Sequence, residues 1–187
     1  AVGVAVGAAV GATVGATVGA AVAVATEAGL AVVPRGGGMS YTRGYLGGPG
    51  SVLIDTQRMN RVLEVNTEDM FVTVECGISW AVLDDALKPL GVRTPFWGTG
   101  SGRYATVGGT LSQNAINYGS GQFGPAVDSA LGLQVVLADG TTLATGSAAT
   151  PFAPSPFFRT YGPDLTGIFL ADTGALGIKA TATLKLI

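Results

Sequence analysis

Three consecutive glycines, Gly36, Gly37 and Gly38, are followed by Met39, Ser40, Tyr41 and Thr42, and this segment is the one best suited to chemistry. Glycine admits backbone angles closed to other residues, so such a run can turn several N–H groups toward one point. Ser40 and Thr42 add hydroxyl donors, and Arg35 adds a cation beside them. A diphosphate bridge would suit this loop; a plain flexible turn would have the same composition. No Gly-Lys-Ser/Thr follows, and Gly37-Gly38-Met39 does not fit the dinucleotide fingerprint, so neither a Walker loop nor a Rossmann turn is indicated.

A second stretch rich in small residues contains Gly98, Thr99, Gly100, Ser101 and Gly102, then Thr106, Gly108, Gly109 and Ser112. Two separated loops with backbone and hydroxyl donors suit an extended ligand whose parts need separate clamps. Gly119, Gly121 and Gly124 offer a third wall.

Other chemistry is limited by what the chain contains. Histidine is absent, which excludes a histidine base or a histidine-held metal within this sequence. Cys76, the single cysteine, ends an apolar run and reads as core filling. Ten Lys or Arg against twelve Asp or Glu give a net charge of -2, without the basic stripe of a nucleic-acid binder. The pairs Glu68-Asp69 and Asp84-Asp85 read as solvated surface, and no metal site is expected. Trp80 and Trp97 read as core residues, Asp164 as a helix cap, and Arg159 and Tyr161 as either a pocket border or a loop anchor.

The elements that must position these loops follow from periodicity. A helix running through residues 23–28 ends at Gly29, and residues 30–33 form a short strand stopped by Pro34. Strands are predicted over 51–55, 61–65 and 71–75, and a helix capped by Ser79 runs to Leu87 before Pro89 and Gly91. Residues 92–125 have little regular pattern apart from a short helix from Gly108 toward Asn114; a stretch this long is usually functional. Asp139-Gly140 marks a hairpin joining 130–137 to 141–144, residues 163–170 read as a helix, and 178–186 alternate as a strand. The sum is an α+β fold, a small parallel β-α-β part followed by a larger, mainly antiparallel sheet.

Residues 1–29 are atypical, an Ala/Val/Gly-rich segment in which Gly3, Gly7, Gly11, Gly15 and Gly19 recur every four residues. Such a stripe lets a helix approach a neighbour closely. The apolar run is long enough for a membrane span, yet it lacks basic or aromatic anchors; a strand and a helix packed on the core are favoured, and a cytoplasmic setting with them.

Four ordered pieces carry a family resemblance: residues 34–42 (PRGGGMSYT), 105–115 (ATVGGTLSQNA), 132–140 (GLQVVLADG) and 161–186 (YGPDLTGIFLADTGALGIKATATLKL). The chain resembles the FAD-binding lobe, of the PCMH-type fold, shared by vanillyl-alcohol oxidase, p-cresol methylhydroxylase and the D-lactate and glycolate flavin dehydrogenases. The resemblance covers residues 30–187 and implies FAD as cofactor. It implies that Arg35, Gly36, Gly37, Gly38, Met39 and Ser40 bind the diphosphate, largely through main-chain groups. Thr106, Gly108, Gly109 and Ser112 would line the diphosphate and flavin walls. Gly124 would pack against the cofactor, and Gly177 with Ile178 would complete the nucleotide side. Met39 stands where histidine-linked relatives attach the flavin, so that link is not expected.

The implied activity is that of an FAD-dependent oxidoreductase whose flavin takes a hydride from an organic alcohol, phenol or hydroxy acid and passes electrons to an acceptor. A substrate domain carrying the base is expected beyond Ile187. FAD lobes of molybdenum hydroxylases and of the cell-wall precursor reductase share the general architecture but fit the motif series less well. A noncatalytic FAD-binding or membrane-associated fragment is the alternative from another class.

Overall fold

The helix α1, Val14–Glu27, buries Val14, Gly15, Val18, Gly19, Val22 and Ala25, residues that share one face at helical spacing. The computed structural model describes residues 2–4, 14–98, 100–150, 157–160 and 162–187; Gly7, Gly11, Thr99 and Tyr161 lie outside the described residues. α1 closes at Gly29, whose φ is 69°, with Gly29 N–H donating to Thr26 O and Leu30 N–H to Ala25 O, each at 2.9 Å. That bonding pattern is a Schellman stop, as the sequence predicts. Two glycines of the stripe, Gly15 and Gly19, have a structural reason. A side chain on Gly19 would strike the Gly140 carbonyl, and one on Gly15 would crowd Gln134 and Thr142, so α1 lies almost backbone to backbone on the distant hairpin that spans residues 130–144.

β1 (Val2–Val4), β2 (Ala31–Arg35) and β3 (Ser51–Asp55) form a parallel sheet in the order β1-β3-β2. The strand expected to stop at Pro34 runs through it to Arg35. β2 is an edge strand, where a residue without an N–H is accommodated. β4 (Val62–Asn66), β5 (Phe71–Glu75), β6 (Ala130–Val136), β7 (Thr142–Ala144) and β8 (Ile178–Lys185) form an antiparallel sheet in the order β4-β5-β8-β6-β7. Both the small parallel part and the larger antiparallel part expected from the sequence are present.

Two apolar clusters tie these layers together. In one, Val18 and Val22 of α1 pack with Ile54 of β3 and with Val136, Ile178 and Ala180 of the antiparallel sheet. In the other, Val72, Val74, Leu133 and Leu184 of that sheet pack with Trp80, Leu83 and Leu87 of α2 (Trp80–Leu87) and Leu111 of α3 (Val107–Gln113). Trp80 donates to Thr110 Oγ1 at 2.8 Å and meets Phe96 edge to face at 5.0 Å, so its expected core role holds. Trp97 does not share it: the ring is 58% exposed and its Nε1–H reaches Asp84 Oδ1 of α2 at 2.9 Å. A surface carboxylate satisfies the indole N–H there, which leaves the ring at the solvent boundary.

The segment 92–125 contains α3 and the single turn α4 (Ser120–Phe123), with little else regular. The helix predicted over 163–170 shrinks to one turn, α5 (Leu165–Ile168). Asp164 caps it by accepting from Gly167 N–H at 2.9 Å, and Arg159 reaches the same carboxylate at 2.7 Å. Phe169 and Leu170 then donate to acceptors three residues back, and Ala171 takes φ 56°, which ends the turn. Arg159 also donates to Val127 O at 3.0 Å, so it anchors a loop. Among the described residues no helix is long and apolar enough to cross a membrane.

Candidate functional site

The end of β2 leads directly into the glycine loop, and that loop forms one wall of a cleft of about 1220 Å³. The volume exceeds the roughly 300–1,000 Å³ common for small-ligand pockets, which suits an extended molecule. Arg35, Gly36, Gly37, Gly38, Met39 and Ser40 line it on one side. Thr106, Gly108, Gly109 and Ser112 line it on another, and Gly177 and Ile178 at the start of β8. The site residues picked out in the sequence therefore converge from three separate parts of the chain, with one exception. Gly124 is not part of this lining: a side chain there would run into the Asp128 carboxylate, and its N–H donates to Ser120 O at 2.9 Å. Its glycine serves a local turn.

The loop is a cradle of donors. The backbone N–H groups of Gly36, Gly37, Gly38, Met39 and Ser40 have no protein acceptor among the described residues. Gly38 takes φ 67°, and a Cβ there would sit 3.3 Å from Arg35 Nε. The loop thus folds over the guanidinium. Arg35 reaches Asp55 only at 4.0 Å, and its Nε is buried with no partner. Only Nε is buried; the side chain as a whole is 39% exposed, so the guanidinium charge stays open to an anion in the cleft that Arg35 lines. Gly36 and Gly37 have a different role, because side chains there would collide with Thr106 Oγ1 and the Tyr104 carbonyl. They let the loop seat against residues 104–106.

The second glycine-rich wall is built otherwise. Thr106 caps α3 by accepting from Gly109 N–H at 3.3 Å, while Val107 N–H donates to Ile78 O at 2.9 Å and Gly108 N–H to Cys76 O at 2.8 Å. These amides already have acceptors within the protein. The wall contributes shape and the hydroxyls of Thr110 and Ser112. A Cβ on Gly108 would lie 2.8 Å from that of Cys76, so the absent side chain admits the helix to the sheet. Cys76 is 2% exposed, as expected of core filling, and burial pushes its thiol up to about 12. It is a neutral thiol.

Several lining residues were not signalled as site residues by the sequence. Asn114, the left-handed end of α3 at φ 48°, has a buried Oδ1 without a partner at the cleft. Tyr118 and Ile116 stand exposed at the rim. Lys179 lines the floor, and its ammonium meets Asp172 Oδ1 at 2.7 Å with both side chains almost wholly buried. Burial holds the Lys179 ammonium below its ordinary value, and the hydrogen bond to Asp172 acts against that. Among the described lining residues, Arg35 and Lys179 carry the charge and no carboxylate joins them. The Lys179 charge is already met by Asp172, so the unpartnered amides and the Arg35 guanidinium are the groups that fit a diphosphate. Among the described residues no group of acidic or cysteine side chains could hold a metal ion.

A family model described as an FAD binding domain matches residues 7–146. Glycolate oxidase subunit GlcD of Bacillus subtilis is 29% identical over 88% of this chain and 33% of its own length. The mitochondrial cytochrome-type D-lactate dehydrogenase of Arabidopsis thaliana is 32% identical over 84% of this chain and 26% of its own. D-2-hydroxyglutarate dehydrogenase of Pantoea ananatis is 36% identical over 76% of this chain and 14% of its own. Among solved structures, an alkyldihydroxyacetonephosphate synthase superposes with a TM-score of 0.77 at 25% identity, covering 91% of this chain and 30% of that one. The chain spans a third or less of the length of each of these proteins.

Proposed function

Because this chain belongs to the family of FAD binding domains, as its four ordered motifs imply, we propose that it holds FAD in the cleft for a flavin-dependent oxidoreductase acting on a 2-hydroxy acid. The observation that carries the cofactor half is the run of unpartnered amides from Gly36 to Ser40 beside the unsatisfied Arg35 Nε. Those groups would take the diphosphate, with α3 and the start of β8 supplying the opposite walls. The narrower substrate reading rests on the relatives: glycolate, D-lactate and D-2-hydroxyglutarate are all 2-hydroxy acids.

When bound, FAD supplies the two-electron acceptor that hydride transfer from an organic substrate needs. The residues of this chain bind and orient it. Gly38 and Arg35 set the donor cradle, and the buried hydroxyl of Thr110 and the side chain of Asn114 border the opposite wall. Among the described lining residues there is neither carboxylate nor histidine, the cysteine is a neutral thiol and the Lys179 ammonium is engaged by Asp172, so none is well matched to abstract a proton. The base, the substrate contacts and the route to an electron acceptor belong, in this reading, to further parts of the parent protein.

The test is to purify the chain, and a longer parent, and to identify the flavin that denaturation releases. Unmodified FAD at close to one equivalent is expected. FMN in its place would remove the diphosphate assignment, and a folded parent that carries no flavin would overturn the reading.

A further inference from the structure

The turn between α5 and β8 forms the floor of the cleft through Thr173, Gly174, Ala175 and Gly177, and it is held in an unfavourable shape. Ala171 has φ 56° and Thr173 has φ 55°, left-handed values that side-chain-bearing residues avoid. Something must over-determine this backbone for it to persist. Asp172 sits between the two. Its Oδ1 accepts from Gly174 N–H at 3.0 Å and from the Lys179 ammonium at 2.7 Å, and its Oδ2 accepts from Leu176 N–H at 3.3 Å. One carboxylate thus gathers both ends of the turn and ties them to β8. The side chains of the pair are 1% and 2% exposed.

A buried ion pair is a poor source of stability, since dehydrating two charges offsets most of their attraction. Its value here is geometric. We propose that Asp172 and Lys179 form a positioning pair that holds the 172–177 turn as the floor of the cofactor cleft. This inference rests on the FAD reading above. Asparagine at position 172 could present one acceptor to the turn, but its NH₂ would face a second donor, and Lys179 would keep a buried charge without a counter-charge. Alanine would leave both amides and the ammonium without their acceptor.

The experiment uses the full 187-residue chain. Amide hydrogen exchange without ligand reads the turn, FAD titration reads the cleft, and circular dichroism reads the fold. Asp172→Ala is expected to lose protection at Gly174 and Leu176 and to weaken FAD binding by at least tenfold. The double variant Asp172→Asn with Lys179→Met removes both charges and returns one acceptor. It is expected to recover at least half of that loss on a logarithmic scale, a rescue that general loosening of the core would not give. Retained protection in Asp172→Ala overturns the proposal, as does lost protection with unchanged FAD affinity. If Asp172→Ala fails to fold, the double variant decides: FAD affinity within threefold of the native chain supports the pair as positioning, and a loss as large as tenfold overturns it. A native chain that is folded, protected in the turn and unable to bind FAD instead fells the cofactor reading, and this proposal with it.

Discussion

The loop over residues 36–40 and the segment over 106–112 are both rich in glycine and hydroxyl side chains, and both border the same cleft. In the first, successive amides have no acceptor among the described residues. In the second, the amides of Val107, Gly108 and Gly109 bond to Ile78 O, Cys76 O and Thr106 Oγ1. The same composition therefore serves two ends. Glycine at Gly38 grants a left-handed backbone angle in a loop whose donors open on the cleft, whereas glycine at Gly108 grants room for a helix to lie against the sheet. The difference lies in what surrounds each segment. One leaves a strand edge toward open space, and the other is capped and packed.

Substitution should separate the two roles, and the largest effect belongs to the packed wall. Gly108→Val puts a branched side chain against Cys76 Cβ and O; overpacking of this kind costs about 1–3 kcal/mol, and a lowered melting temperature is the expected readout. If stability is unchanged and only FAD affinity falls, the two walls are alike after all. Gly37→Val comes next. The side chain would meet the Tyr104 carbonyl and lift the loop from its seat, so FAD affinity should fall more than tenfold, about 1.4 kcal/mol. Circular dichroism should stay close to native, and unchanged affinity would remove the loop from the binding surface.

Smaller effects sharpen the contrast. Gly38→Ala adds only a methyl but must adopt a left-handed angle, at about 1–2 kcal/mol. A loop that relaxes out of that angle to shed the strain turns its amides away from the cleft, so several-fold weaker FAD binding, measured by titration, is expected. Arg35→Gln removes one cation from the cleft and should weaken binding a few-fold while making it less sensitive to salt. An unaltered salt dependence would show that the guanidinium does not face the cofactor's charge.

Much of this was legible before any coordinates. The Asp139-Gly140 hairpin, the Ser79 cap, the Gly29 stop and the existence of a strand over 178–185 depend on backbone angles and periodicity that neighbouring residues fix on their own, although that strand is buried on both faces and its burial does not alternate. Pro34 misled because its cost depends on whether a strand lies at an edge, and Trp97 because an indole is satisfied equally well by a core or by one surface carboxylate. Gly124 shows the same limit, since its turn places it outside the lining of the cleft.

By itself the sequence determined the local grammar: which residues turn, cap, pair and alternate, and that glycine-rich segments precede and follow the elements that carry them. Tertiary structure alone decided which of those glycines line the cleft with open amides and which face another backbone. It also decided that Lys179, one of the polar positions of an alternating strand, would be buried against Asp172. The reason is physical. Propensity and periodicity act over a few bonds, but whether an amide or an ammonium finds a partner depends on groups brought to it by the packing of distant segments.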